Sequence, residues 1–164
     1  MSACGETSYR LPPPSQSEQR DVAADPAEQA EQERSRYLEA RASLLRLYEM
    51  LSENRFEDAE QLLSQQTRDF LAYGSEAGDP STVLSNGRLI LPDGRSVEFD
   101  PVELLIGAKI QRITDSLEGV EEHETRSRRE LFVVDAEGQS HQVVMISEGG
   151  RWVLHRTSVN PGQE

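Results

Sequence analysis

Few residues in this 164-residue chain carry side chains able to do chemistry, and they are scattered. Cys4 is the single cysteine, set in Met1-Ser2-Ala3-Cys4-Gly5. Its thiolate would be a nucleophile, so alkylation or acylation is the chemistry open to it. Tyr48, Asp69, His141 and His155 are groups that would serve proton transfer if burial moved their pKa values toward neutrality. A plainer, structural role stands beside each. Tyr48 lies on an apolar helix stripe, Asp69 is flanked by Arg68, and each histidine is isolated in a strand. A dense charged run contains Glu118, Glu121, Glu122, His123, Glu124, Arg126, Arg128, Arg129 and Glu130, spread over both faces of a strand. With one histidine and no compact ligand set, it predicts no metal site. It reads as a solvated, edge-like strand guarded by charge, with a polar partner-binding rim as the alternative. No phosphate-binding glycine loop, zinc-ligand spacing or G-x-S-x-G elbow occurs, so no catalytic residue and no cofactor is expected.

Cys4 is followed by a stretch with little to pack. Thr7-Ser8-Tyr9-Arg10-Leu11-Pro12-Pro13-Pro14-Ser15-Gln16-Ser17-Glu18-Gln19-Arg20 is polar and proline-rich, and the next residues add charge and alanine. Such a composition buries too little apolar surface to offset the entropy of ordering it, and three prolines favour an extended local conformation. The run from Met1 to Gly5 resembles the lipobox of bacterial lipoproteins, with Met1 in the apolar slot and Ser2 and Ala3 as the small residues. That resemblance implies lipid attachment at Cys4, with diacylglycerol and fatty acyl chains such as palmitate holding the protein to a membrane. It places the protein in the bacterial cell envelope, facing the periplasm. It also presumes a basic and apolar signal segment ahead of Met1; without one, the expected location is the cytoplasm.

Thirty acidic against seventeen basic residues give a formal net charge of -13. A general nucleic-acid surface is thereby disfavoured, because phosphate binding needs a basic face to displace counterions. The expected organisation is a lipobox remnant and disordered tether over 1–33, one α+β domain over 34–160, and a disordered tail over 161–164. The fold class is N-terminal helices packed on a curved, cone-like antiparallel sheet. One core, not two, suits the length.

Helical spacing of apolar residues predicts a first helix from Pro26 to Asn54, with Asp25 as its cap and Leu38, Ala42, Leu44, Leu45, Leu47, Tyr48 and Leu51 on one face. A second is predicted from Phe56 to Tyr73, closed by Gly74. Ser75 to Asn86 reads as a loop. Arg88-Leu89-Ile90-Leu91 and Ser96-Val97-Glu98-Phe99 flank Pro92-Asp93-Gly94-Arg95, a hairpin signal. A further helix is predicted from Asp100-Pro101 through Leu104, Leu105, Ala108, Ile110, Ile113 and Leu117, ending at Gly119. A meander of three strands follows, Val120 to Asp135, His141 to Glu148 and Arg151 to Val159. Both faces of its middle are apolar, so helices should cover one side and a partner, a curled sheet or a ligand the other.

The junction Asn54-Arg55-Phe56-Glu57-Asp58-Ala59, the hairpin and helix after it, and the closing run Ser147-Glu148-Gly149-Gly150-Arg151-Trp152-Val153-Leu154 resemble the nuclear-transport-factor-two-like superfamily, which includes ketosteroid isomerases and polyketide cyclases. The resemblance spans about Arg34 to Val159. It implies a cone enclosing an apolar pocket and a homodimer through the open sheet face, where Phe132, Val134 and Val144 would sit. Taken together, the leading expectation is a membrane-tethered periplasmic lipoprotein with a non-catalytic ligand- or protein-binding domain and an envelope protein as partner. A cyclase- or isomerase-like enzyme acting on a small apolar ligand is the first alternative, and a cytosolic domain with an incidental Cys4 the second.

Overall fold

The computed structural model describes residues 25–115 and 127–157. Cys4, residues 1–24 of the tether expected over 1–33, and the part of the charged run from Glu118 to Arg126 lie outside these residues, while residues 26–33 are helical. Among the described residues, five helices and six strands follow in the order α1 (Pro26–Ser52), α2 (Phe56–Glu60), α3 (Gln65–Tyr73), α4 (Pro80–Asn86), β1 (Arg88–Ile90), β2 (Ser96–Glu98), α5 (Pro101–Leu105), β3 (Arg112–Asp115), β4 (Arg128–Val134), β5 (Ser140–Glu148) and β6 (Arg151–His155). The class is α+β. β1 and β2 form a separate antiparallel ribbon, and β3 to β6 form one antiparallel sheet in chain order.

The same dipeptide starts three of the helices. Asp25-Pro26, Asp79-Pro80 and Asp100-Pro101 each place the acid at the cap and the proline in the first turn, where its missing N–H costs nothing. Asp25 accepts from the Ala27 amide, and Asp100 from those of Val102 and Glu103. Asp79 instead takes the hydroxyls of Ser81 and Thr82. Of the expected loop from Ser75 to Asn86, Pro80–Asn86 is therefore helical, and Gly87 ends it in the left-handed conformation that favours glycine.

α1 is exposed through most of its first half and enters the core at Ala40, from where Leu44, Leu47 and Leu51 continue a buried stripe. That stripe belongs to one cluster with Leu131, Val133, Val143, Met145 and Leu154 from the sheet. The helices thus cover a single face of the four-stranded sheet. On the opposite face Phe132, Val134, Val144 and Ile146 are half-buried, and Val153 is buried but stands apart from the core cluster.

Two predicted helices are shorter than their spacing suggests. The segment expected from Phe56 to Tyr73 is broken between Gln61 and Ser64, because Leu63 bridges Leu154 in parallel. The Leu154 amide donates to the Leu62 carbonyl and the Ser64 amide to the Leu154 carbonyl, both at 2.8 Å. Ser64 then restarts the helix, its hydroxyl accepting from the Thr67 amide. The helix expected to run from Asp100 to Leu117 stops at Leu105. Gly107, at φ +96°, turns the chain, and Ile113 becomes a strand residue facing the core. The meander therefore has four strands rather than three among the described residues; β4 is the described part of the strand expected from Val120 to Asp135, and residues 120–126 of that expectation lie outside the described residues.

The charged run is not wholly solvated. Strand alternation sends Arg128 and Glu130 to one face and Arg129 to the core face with Leu131 and Val133. Arg129 is 4% exposed. It donates to the Asp115 carboxylate at 2.7 Å, and its guanidinium lies 6.0 Å from the Tyr37 ring centre. A buried ion of one sign left alone is far costlier than the pair. We therefore predict that Arg129→Met, which strands Asp115, lowers unfolding free energy by about 3–5 kcal/mol. Arg129→Met combined with Asp115→Leu should recover most of that loss, as measured by urea denaturation.

Candidate functional site

Where β6 ends, β5 continues. β6 pairs with β5 only from Val144–His155 to Glu148–Arg151, so Ser140 to Val143 extend past it. The reason lies in the Leu154 bridge. With the Leu154 amide and carbonyl given to Leu62 and Ser64, the next residue on that side, Arg156, donates its amide to the Thr67 hydroxyl at 2.8 Å. The chain is thereby drawn toward α3 and away from β5. Along the gap lies a cleft of about 740 Å³, lined by the end of α5 (Leu105, Ile106, Gly107), by β5 from Ser140 to Val144, and by Arg128, Leu154, His155, Arg156 and Thr157.

Two of the sequence-predicted groups meet here. His141 and His155 both line the cleft. Tyr48 packs against the core cluster and Asp69 is exposed, accepting from the Gln65 amide side chain, so neither reaches it. His141 Nε2 lies 2.9 Å from the Asp135 carboxylate, and the two side chains are 30% and 12% exposed. An ionised carboxylate can only accept, so Nε2 carries the proton and donates. The hydrogen bond from His141 holds the Asp135 carboxyl below its usual range, helped by the Gln139 and Glu137 amides and opposed by partial burial. The other edge of the His141 ring rests on Gly107, where a Cβ would come within 3.1 Å of the His141 Cβ and 3.3 Å of Nδ1.

His155 Nδ1 lies 3.0 Å from the Ser64 hydroxyl, a nucleophile-to-base spacing. Its surroundings make it a clamp instead. Ser64 is fully buried, caps α3, and sits 2.8 Å from the Thr67 hydroxyl, which in turn is 3.4 Å from the Leu154 carbonyl. No substrate atom has access to that oxygen. Ser64 and Thr67 went unnoticed in the sequence, although a serine just ahead of a helix-forming run is a capping signal. Asp135 was equally readable as the head of the Ala136-Glu137-Gly138 turn, but nothing in the sequence paired it with His141.

Charge is unevenly distributed around the cleft. Its lining contains Arg128, Arg156 and two histidines and no carboxylate, in a chain where acids outnumber bases by 30 to 17. Arg128 shares a loose 3.5 Å contact with Glu130 on the outer sheet face, and burial pulls the Arg156 guanidinium down from its ordinary pKa. Among the described residues no cluster of three histidine, cysteine or acidic side chains could hold a metal ion. In comparisons with protein-family models, characterised protein sequences and solved structures, nothing matches this chain.

The Asp135 and Gly107 contacts generate two expectations. A carboxyl held low stabilises the fold above its unfolded pKa and ceases to do so as pH falls through its folded value. Asp135→Ala should therefore lower the melting temperature at pH 7, and the gap from the unsubstituted protein should close as pH drops below about 4. Gly107→Ala, which adds both the Cβ contact and left-handed strain, should cost about 1 kcal/mol or more and displace the His141 ring signals in proton NMR.

Proposed function

We propose that the folded domain is a non-catalytic binding module carried on a lipidated tether, its ligand held in the cleft at the end of the sheet. The observation that carries this reading is that both histidines of the cleft are committed, one to Asp135 and the other to the buried cap of α3. Groups fixed in this way orient a surface. Proton transfer in a cyclase or isomerase would call for a titratable group, even one oriented by a carboxylate, to stand inside an enclosed apolar pocket. A polar, open cleft at a strand end favours recognition instead.

The element order supports membership of the nuclear-transport-factor-two-like superfamily as part of the same proposal. Helices, a hairpin, a short helix and an antiparallel meander follow one another, the order on which that resemblance rests. The cone-like curvature and a dimer through Phe132, Val134 and Val144 belong to the proposal too. For the tether, the lipobox resemblance at Cys4 and the proline-rich spacer remain the support. Among the described residues no helix is long and apolar enough to cross a membrane, so none of them supplies the anchor.

The anchor is tested in cells expressing the gene from its native locus with a radiolabelled palmitate supply. Label should enter the protein and be lost in Cys4→Ser, with the variant recovered in the soluble fraction. A native protein that takes up no label defeats the anchored reading.

A further inference from the structure

The open side of β5 has a defined hydrogen-bonding polarity. Leu154 turns its amide and carbonyl away from β5, so its neighbours Val153 and His155 turn theirs toward it, opposite Ile146 and Val144. Continuing that alternation along β5, the amides and carbonyls of Gln142 and Ser140 point into the cleft. Those of His141 and Val143 point at β4, opposite Val133 and Leu131. No backbone hydrogen bond joins Thr157 to Gln142 among the described residues. Two donors and two acceptors therefore line the cleft at the spacing a strand requires.

The side chains bordering this edge differ by face. On the core side stand Leu105, Ile106, Val143, Leu154 and the Asp135-bound His141; on the outer side stand Gln142, Val144, His155 and Arg128, which lies 3.5 Å from Glu130. A strand laid beside Ser140 to Val143 would send alternate side chains to those two faces. The inward ones meet a mostly apolar surface broken by His141, and the outward ones meet Arg128.

We propose that this edge takes up an extended peptide segment of a partner protein, about four residues long, in which apolar and acidic residues alternate. This inference rests on the binding-module reading and names its ligand class. Main-chain bonds to Gln142 and Ser140 give affinity, and the mostly apolar inner face and Arg128 on the outer face give sequence preference, the logic of strand addition. The cleft volume of about 740 Å³ is in the range of ligand sites.

The test uses the whole chain and an acetylated, amidated Val-Glu-Val-Glu-Val peptide, followed by isotope-edited NMR. Binding should shift the amides of Ser140 and Gln142 more than those of His141 and Val143. N-methylation of the central peptide residues should weaken it about tenfold, the worth of about one hydrogen bond. A lysine-for-glutamate peptide, or Arg128→Glu in the protein, should weaken it about fivefold, as for an exposed ion pair. Gln142→Pro deletes the cleft-facing N–H while sparing the β4 ladder, and should weaken binding as N-methylation does. Equal affinity for the methylated and unmethylated peptides overturns the proposal. So does uptake only by a variant ending at Thr157, which would assign the edge to the chain's own C-terminal residues. If inorganic phosphate shifts Arg128 and His155 while no peptide shifts Ser140 or Gln142, strand addition falls and the binding-module reading stands.

Discussion

The backbone of Leu154 decides most of what this molecule becomes. By giving its amide to Leu62 and taking the Ser64 amide, it stitches the α2–α3 connection onto β6. A sheet edge that would otherwise be open is covered there. The same exchange interrupts a helix that the apolar spacing alone would have continued, buries Ser64 as a cap, and hands Arg156 to Thr67. β6 consequently stops short of β5. The cleft is thus a by-product of satisfying peptide groups elsewhere, and it needs no dedicated loop to form it.

Parity along the strands distributes polar and apolar character. One residue earlier or later in β4, Arg129 would be in solvent; in its actual register it lies under α1, held by Asp115 and Tyr37. The price is a guanidinium nitrogen, Nη1, that is buried with no hydrogen-bond partner among the described residues. Buried pairs of this kind fix register better than they add stability, because any slip would leave two charges unmatched in the core. The apolar neighbours Leu131, Val133 and Met145 would tolerate sliding more easily.

What the sequence disclosed depended on whether a signal was local. The Asp-Pro starts at Asp25 and Asp100, the ribbon around Asp93 and Gly94, and the closing Gly149-Gly150 turn are each written in adjacent residues, and each is where it was expected. Asp79-Pro80 carried the same information but was outweighed by the glycines and polar residues around it. The break at Leu62–Ser64 was illegible, since its cause is Leu154, some ninety residues away. Ile110 and Ile113 fitted a helical stripe, yet Gly107 had already ended that helix, and β-branched residues suited the strand that followed. Of the candidate site, His141 and His155 were identifiable as polar groups in strands. Their meeting in one cleft was not, because it depends on strand pairing and on how far each strand runs.

α1 is a single unbroken rod of 27 residues, about 40 Å long, whose first three turns are mostly exposed, while Tyr37 packs against the domain and the second half forms the centre of the core. Such a rod behaves as a lever. Any load applied ahead of Pro26 passes without a hinge to Leu44, Leu47 and Leu51, and from there to the sheet they pack against. A loop in the same place would absorb tension or tilt; a continuous helix delivers it to the part of the protein least able to yield. The orientation of the domain is therefore tied mechanically to whatever grips its N-terminal end.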